Sequence, residues 1–224
     1  MNNNGGYRRT HSFAFVCLIY LATEIFCRRN YNYRNDALGK TVGQMIGAAR
    51  SARQNIVEAS SRGTFSNRQE AQQYDVARGS LHELAGDYES FILGKQQPPW
   101  SENEERAKEV ANLKVDEFRE TNDVSHKFGI YILEMEKRFS PFLENEDPII
   151  AAQSILITIR RAAAMLMKQI HYLTENEKNN QTSPRCPECG SPMRLLTARH
   201  GASIGKKFWS CSNYPSCTGK LSLS

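Results

Sequence analysis

The sequence predicts an all-α protein, an up-down helical bundle of four to five helices, with a small β domain after it. Two observations predict the bundle: apolar residues recur at alternating spacings of three and four over the first 178 residues, and no proline occurs before Pro98. Helical spacing then stops, and four of the six cysteines lie between positions 186 and 217. We therefore predict a bundle over 1–178, a linker over 179–185 and the β domain over 186–224.

The first helix has two interpretations. Arg8 and Arg9 precede an uncharged run from Ser12 to Thr23, as in a signal peptide. The run is shorter than the ~20 residues that span a bilayer, and Glu24 follows it at once. We favour a buried first helix, because its apolar positions form two adjacent stripes. Cysteines within that apolar helix, with those of the β domain at metal-ligand spacing, predict a reducing compartment and a cytoplasmic protein.

Three further helices have clear start signals. The second follows Asp36, a candidate N-cap, and the third begins near Ser66, which forms a capping box with Gln69. The last begins after Asp147, with Pro148 at its first position. Their apolar stripes are Leu38, Val42, Met45, Ala49, Ala52, Ile56 and Ala59; Tyr74, Ala77, Leu81, Leu84, Tyr88 and Phe91; and Ile149, Ala152, Leu156, Ile159, Ala163, Leu166, Ile170 and Leu173.

The region between the third and last of these helices carries weaker patterns. We predict a highly charged helix over 102–120, and a helical stretch over 121–146 that Gly129 interrupts and Pro141 ends.

Glycines recur inside the predicted helices, each at a cost of about 1 kcal/mol relative to Ala. We expect close helix approach to offset this cost, either inside the bundle or between subunits. The glycines concerned are Gly39, Gly43, Gly47, Gly79 and Gly86.

The four C-terminal cysteines have the spacing of a zinc site. Two residues separate Cys186 from Cys189, five separate Cys211 from Cys217, and twenty-one lie between the pairs. Four thiolates suit tetrahedral Zn²⁺, and metal binding supplies folding energy to a domain this small. Gly190 permits a turn with positive φ directly after the first pair. The sequence thus predicts a small β zinc ribbon, with two disulfides in a secreted chain as the alternative.

Basic residues are concentrated at the end of the chain. From residue 181 onward there are six Lys/Arg and one acidic residue, so this segment carries the whole formal net charge of +5. Aromatic rings stack on bases and cations bind phosphates, which indicates contact with single-stranded DNA or RNA. Phe208 and Tyr214 could equally form a small core, whereas we expect Trp209 to be exposed. The candidate nucleic-acid-binding residues of the ribbon are Arg194, Arg199, Lys206, Lys207 and Trp209.

The bundle offers a second set of basic candidates, which could equally form an ordinary solvated face. They are Arg50, Arg53, Arg62, Arg68 and Arg78. Nearby, Asn55 and Glu58 are expected to hydrogen-bond across to Arg78 or Ser80 on the neighbouring helix. The five histidines are scattered and no catalytic grouping is evident, so we do not predict an enzyme.

The cysteine segment resembles the four-cysteine zinc ribbons at the C-termini of bacterial type I topoisomerases. The match lies in Cys186-Pro-Glu-Cys-Gly-Ser-Pro-Met193 and Phe208-Trp-Ser-Cys-Ser-Asn-Tyr-Pro-Ser-Cys217. Ser210 stands where that family commonly has Gly. The resemblance implies a ribbon that binds single-stranded DNA without a catalytic role, and the topoisomerase catalytic domains are absent from this sequence.

The helical part resembles the four-helix-bundle proteins encoded in intervening sequences of bacterial 23S ribosomal RNA genes. The resemblance rests on Ser51-Ala-Arg-Gln-Asn-Ile-Val-Glu58 and Ala77-Arg-Gly-Ser-Leu-His-Glu-Leu84 and covers roughly 7–175. Val57 and Ala59 depart from the usual Ala and Gly. The family is similar to the accessory protein of diversity-generating retroelements, a ring-like homopentamer that binds nucleic acid and a reverse transcriptase.

Two functions follow from these patterns and resemblances. The first is an oligomeric, non-enzymatic nucleic-acid-binding adapter. The second is a protein-interaction scaffold that recruits a partner such as a reverse transcriptase, with a structural zinc ribbon.

Overall fold

The computed structural model describes residues 6–61, 67–119, 122–181, 183–198 and 204–222. Within them, six α-helices precede a three-stranded antiparallel sheet, which confirms the predicted fold class. A short 3-10 helix (Gly6–Arg9) is followed by α1 (His11–Asn30), α2 (Lys40–Ser61), α3 (Asn67–Gly94), α4 (Glu105–Asn112), α5 (Val124–Leu143), α6 (Pro148–Gln181), β1 (Met193–Thr197), β2 (Lys207–Cys211) and β3 (Lys220–Ser222). The chain divides into two compact units, 1–65 with 69–170 and 66–68 with 171–224.

Helix α1 is a core helix of the first unit. The Thr10 side chain caps it by accepting a hydrogen bond from the Phe13 amide. Its apolar residues are buried over most of its circumference, as the two adjacent stripes predict. Helix α1 and the segment Pro148–Glu175 of α6 are long and apolar enough to cross a membrane, but most of each is buried inside the fold. A buried core helix in a water-exposed protein meets the same criterion.

Helices α2 and α3 bury the predicted stripes from Met45 to Ala59 and from Tyr74 to Tyr88. The predicted start of α2 is wrong by about one turn, because the helix begins at Lys40 and leaves Leu38 78% exposed. Asp36 still caps the helix: its carboxylate accepts the backbone N–H groups of Thr41 and Val42. These bonds, above all the one from Val42, lower the pKa of Asp36. The capping prediction at Ser66 lies outside the described residues.

The region 102–146 differs most from the sequence prediction. Helix α4 covers only Glu105–Asn112, and the chain from 113 to 119 is extended. Two side chains of α5 hold this segment: the Tyr131 hydroxyl donates to the Asp116 carbonyl at 2.9 Å, and Arg138 donates to the Lys114 carbonyl at 2.6 Å. Long-range hydrogen bonds therefore replace the helical ones that the local pattern predicted.

Helix α5 continues through both residues that were expected to break it. Gly129 lies inside the helix, and Pro141 lies in its last turn. The Pro141 nitrogen cannot donate to the Lys137 carbonyl, but the Ser140 hydroxyl donates to that oxygen at 3.4 Å. Because the helix ends at Leu143, the proline removes few further backbone bonds there.

The first part of helix α6 is a core element of the first unit. Asp147 caps it by accepting the Ile149 amide, and every residue from 151 to 159 is buried, a wider buried surface than the predicted stripe. The buried Gln153 amide bonds the backbone of Pro98 and Trp100, each at 2.8 Å. Helix α6 ends only at Gln181, so the predicted linker over 179–185 starts within it.

The helix glycines are not explained by close packing inside the bundle. A Cβ built at Gly43, Gly47, Gly79 or Gly86 has no heavy atom within 4 Å. The expectation of close helix approach within the bundle is therefore wrong at these positions. Gly43, Gly47 and Gly86 instead line an open groove of about 640 Å³ between α2 and α3.

Candidate metal centre and nucleic-acid interface

The four C-terminal cysteines converge on one point. The Sγ atoms of Cys186, Cys189, Cys211 and Cys217 all lie within 4.8 Å of one another. The Cys186–Cys217 and Cys189–Cys211 sulfur pairs are 3.7 and 3.4 Å apart. Four sulfurs at about 2.3 Å from a tetrahedral zinc ion have comparable separations. The donor set and its geometry therefore fit Zn²⁺, and the four cysteines form a zinc-binding site.

Tight turns position the ligands. Gly190 has φ of +71°, as predicted, and its amide donates to the Cys186 carbonyl at 2.9 Å. The side chain and backbone amide of Ser191 hydrogen-bond to Cys189 and lower the pKa of its thiol to about 6. Zinc binds cysteine as the thiolate, so a bound ion would hold all four sulfurs deprotonated.

Gly219 is a positioning residue that sequence reasoning missed. Its carbonyl accepts the Cys211 amide at 2.9 Å, which ties the end of β2 to the chain before β3. A Cβ at this position would collide with the Cys186 Sγ atom. Glycine is required here because a ligand sulfur occupies the space of a side chain. Its place two residues after Cys217 was visible in the sequence, but the contact with Cys186 was not.

The three strands give the ribbon two different faces. Strand order is β1-β2-β3, and Trp209 and Leu221 pack against a small core of Cys186, Met193 and Cys211. Side chains alternate along each strand, so the residues between these belong to the opposite face. We call that opposite face of the sheet the outer face. It carries two cross-strand rows, each made of residues that face one another on the three strands. One row is Arg194, Ser210 and Lys220, and the other is Leu196, Phe208 and Ser222.

The half-buried Phe208 ring of the outer face shares an open hollow with three lysines. Lys206, Lys207 and Lys220 line the same open hollow as the ring, with a volume of about 720 Å³. Each of these lysines is exposed, and so is Arg194. An aromatic ring bordered by exposed cations suits a single strand, whose bases stack and whose phosphates attract positive charge.

The structure changes which aromatic residue is available in the ribbon. Trp209 was expected to be exposed, but it is half-buried against the small core by the zinc site. Phe208 points to the outer face instead, and Tyr214 is 63% exposed. Of the candidate cations, Arg194, Lys206 and Lys207 are exposed, whereas Arg199 lies outside the described residues. Lys220 was missed, although its cross-strand row with Arg194 follows from strand alternation.

The candidate arginines of the bundle differ from one another. Arg50 and Arg68 are exposed, but Arg78 pairs with Asp75 at 2.8 Å and lies 3.2 Å from His82 Nε2. The remaining two are Arg53, whose guanidinium lies 4.5 Å from the Tyr20 ring centroid, and Arg62, which lies outside the described residues.

A hydrogen-bond network joins α2 and α3 through Ser51. The Ser80 hydroxyl donates to the Ser51 hydroxyl at 3.1 Å, and Asn55 Nδ2 lies 3.2 Å from the same oxygen. The expected inter-helix network therefore exists, but Ser51 links Asn55 to Ser80, and Arg78 pairs within its own helix.

The fold and the site together define a helical protein with a C-terminal four-cysteine zinc ribbon of the topoisomerase type. Residues 184–224 match the family described as "Topoisomerase DNA binding C4 zinc finger". The chain is also similar to DNA topoisomerase 1 of Archaeoglobus fulgidus, with 32% identity over 92 residues. That match covers 36% of this chain and 13% of the relative, so the chain spans only a small part of it. No solved structure matches the chain.

Proposed function

We propose that the protein is a non-enzymatic, oligomeric nucleic-acid-binding adapter of the cytoplasm. The helical bundle assembles the oligomer and binds a partner, and the zinc ribbon contacts single-stranded DNA or RNA. Resemblance to the intervening-sequence family supports the bundle's role and suggests a homopentamer. The match of the ribbon to a DNA-binding zinc finger family supports the nucleic-acid role.

The observation that carries this proposal is the outer face of the ribbon. Arg194 and Lys220 lie in one cross-strand row, and Phe208 lies in the next. Four thiolates on one Zn²⁺ carry a net charge of −2, which reduces the formal +5 of the segment from 181 onward to about +3. The exposed cations of the outer face therefore belong to a segment whose net charge stays positive when zinc is bound.

A salt titration tests the proposal. We expect the full chain to bind single-stranded DNA or RNA at low salt, with log K falling as log [salt] rises because counterions are released from the phosphates. Fluorescence anisotropy of a labelled oligonucleotide at about 50 to 500 mM salt measures the slope. Deletion of 181–224 should weaken binding. Absence of binding at low salt would contradict the proposal.

The open glycine groove favours a second candidate function, a protein-interaction scaffold. Gly43, Gly47 and Gly86 leave room for close backbone approach, and the acidic Glu83 and Asp87 line the same groove. In this alternative the bundle recruits a protein such as a reverse transcriptase, and the ribbon is structural. Co-purification of a protein partner with no nucleic acid would favour the scaffold, and native mass spectrometry would give the subunit number and the zinc content.

A further inference from the structure

A further hollow lies in the first unit, beside the hydrogen-bonded pair Ser51 and Asn55. It is a cleft of about 700 Å³, within the range of small-molecule sites in proteins. The short 3-10 helix Gly6–Arg9, α1, α2 and α5 all contribute to it. Its walls combine charged, amide and apolar groups, including Arg8, Arg53, Gln54, Asn55, Glu58 and Phe128.

Aromatic rings hold the two guanidinium groups of the cleft. The Arg8 guanidinium lies 4.7 Å from the Tyr7 ring centroid and 5.8 Å from that of Phe128, and Arg53 is 4.5 Å from Tyr20. Such stacking leaves the in-plane N–H groups of a guanidinium available for an anion. Neither arginine forms an ion pair with a carboxylate in the part of the chain that the structure describes.

The positive charges of Arg8 and Arg53 both affect the pKa of the buried Cys17 thiol. Burial raises the pKa of the Cys17 thiol to about 12, and the charges of Arg53 and Arg8 both oppose that rise. The thiol lines the cleft, so the two positive charges approach one wall of it together. Since the thiol stays protonated, it supplies no negative charge to compensate them.

The remaining polar groups distinguish between anions. The Gln54 amide and the Asn55 side-chain oxygen provide hydrogen-bonding capacity, whereas Asn55 Nδ2 already donates to Ser51. The charges of Arg8, Arg53 and Glu58 sum to +1, so the lining suits a ligand with a single phosphate group and disfavours a polyphosphate. The apolar wall of Phe13, Val57 and Phe128 suits an organic body larger than a bare phosphate.

We propose that this cleft binds a nucleoside monophosphate group. Arg8 and Arg53 hold the phosphate, and the side-chain amides of Gln54 and Asn55 face the nucleoside. The group has two possible sources, a free mononucleotide or the 5′-phosphorylated end of a single strand. The strand-end source rests on the proposed nucleic-acid function, whereas the free-nucleotide source does not.

Isothermal titration calorimetry on the full zinc-loaded chain tests this proposal. We expect AMP to bind about tenfold more tightly than adenosine, because hydrogen bonds to charged groups are the strong ones. Arg53→Met and Arg8→Met should each remove this preference. Arg28→Met is the control, because Arg28 is exposed near the end of α1 and does not line the cleft. Equal affinity for AMP and adenosine, or unchanged AMP binding in both cleft variants, would overturn the proposal.

Matched oligonucleotides identify the source of the phosphate. A preference of the wild-type chain for a 5′-phosphorylated over a 5′-hydroxyl strand assigns the strand end, and AMP binding without that preference assigns the free nucleotide. Arg8 lies in a short segment before α1, so Arg8→Met keeps the test usable if Arg53→Met unfolds the bundle. Binding of the 5′-hydroxyl strand itself reports on the ribbon, so its loss would bear on the proposed function and not on the cleft.

Discussion

Replacement of Gly219 by alanine is expected to abolish tight zinc binding by the ribbon. The new methyl group would collide with the Cys186 Sγ atom, and that sulfur is one of four ligands. Moving a ligand is more severe than changing a residue that supports one, which typically costs 10–100-fold, so we expect a loss of at least about 100-fold in affinity. Because metal binding supplies folding energy in so small a domain, the sheet should also lose order.

Competition with a chromogenic chelator measures this loss, and circular dichroism of the full chain monitors the helices. Gly129→Ala is the matched control. Gly129 is exposed inside α5, and a Cβ there has no heavy atom within 4 Å. The control should therefore keep wild-type zinc affinity. Wild-type affinity in the Gly219→Ala chain would mean that the turn before β3 does not depend on glycine.

The second large effect is expected at the outer face. Phe208→Ala should weaken single-strand binding by at least about fivefold, since base–aromatic stacking is worth about 1–3 kcal/mol per base. Lys220→Gln should lower the salt slope by about 0.7, the contribution of one phosphate contact on a single strand. Anisotropy titrations at several salt concentrations separate the two effects.

The controls for the outer face come from the bundle. Tyr33→Ala removes an aromatic ring that is 74% exposed, and Lys40→Gln removes an exposed lysine. Both should leave affinity and slope unchanged. Zinc content must stay at one per chain in each variant, so that a folded ribbon is compared throughout. If Tyr33→Ala weakened binding as much as Phe208→Ala, the bundle and not the outer face would be the main contact.

Local signals in the sequence predicted much of the fold. Asp147 and Pro148 mark the start of α6 because an N-cap and a helix-compatible proline act within one turn. The stripe from Met45 to Ala59 identified the buried side of α2, since helical periodicity directly reflects burial. The cysteine spacing identified the zinc site because a metal imposes its own geometry on the chain.

Other features depend on partners distant in sequence. The segment 113–119 is extended because Tyr131 and Arg138 of α5 donate hydrogen bonds to its carbonyl groups. The apolar spacing of the segment does not indicate these distant donors. The sequence also could not assign Phe208 and Trp209 to faces. The sequence shows that Phe208 and Trp209 lie on opposite faces of a strand. Which of the two packs against the zinc-site core depends on the strand register, which places Trp209 opposite Leu195 and Leu221.

Locating the bound single-stranded nucleic acid on the protein tests the central claim most directly. A single-stranded oligonucleotide carrying 5-iodouracil is cross-linked to the full zinc-loaded chain by ultraviolet light, and mass spectrometry locates the attached base. The outer face predicts attachment at Phe208, which lines the same hollow as Lys206 and Lys220. Attachment confined to bundle peptides, with peptides of the ribbon unmodified, would contradict a nucleic-acid-binding role for this face.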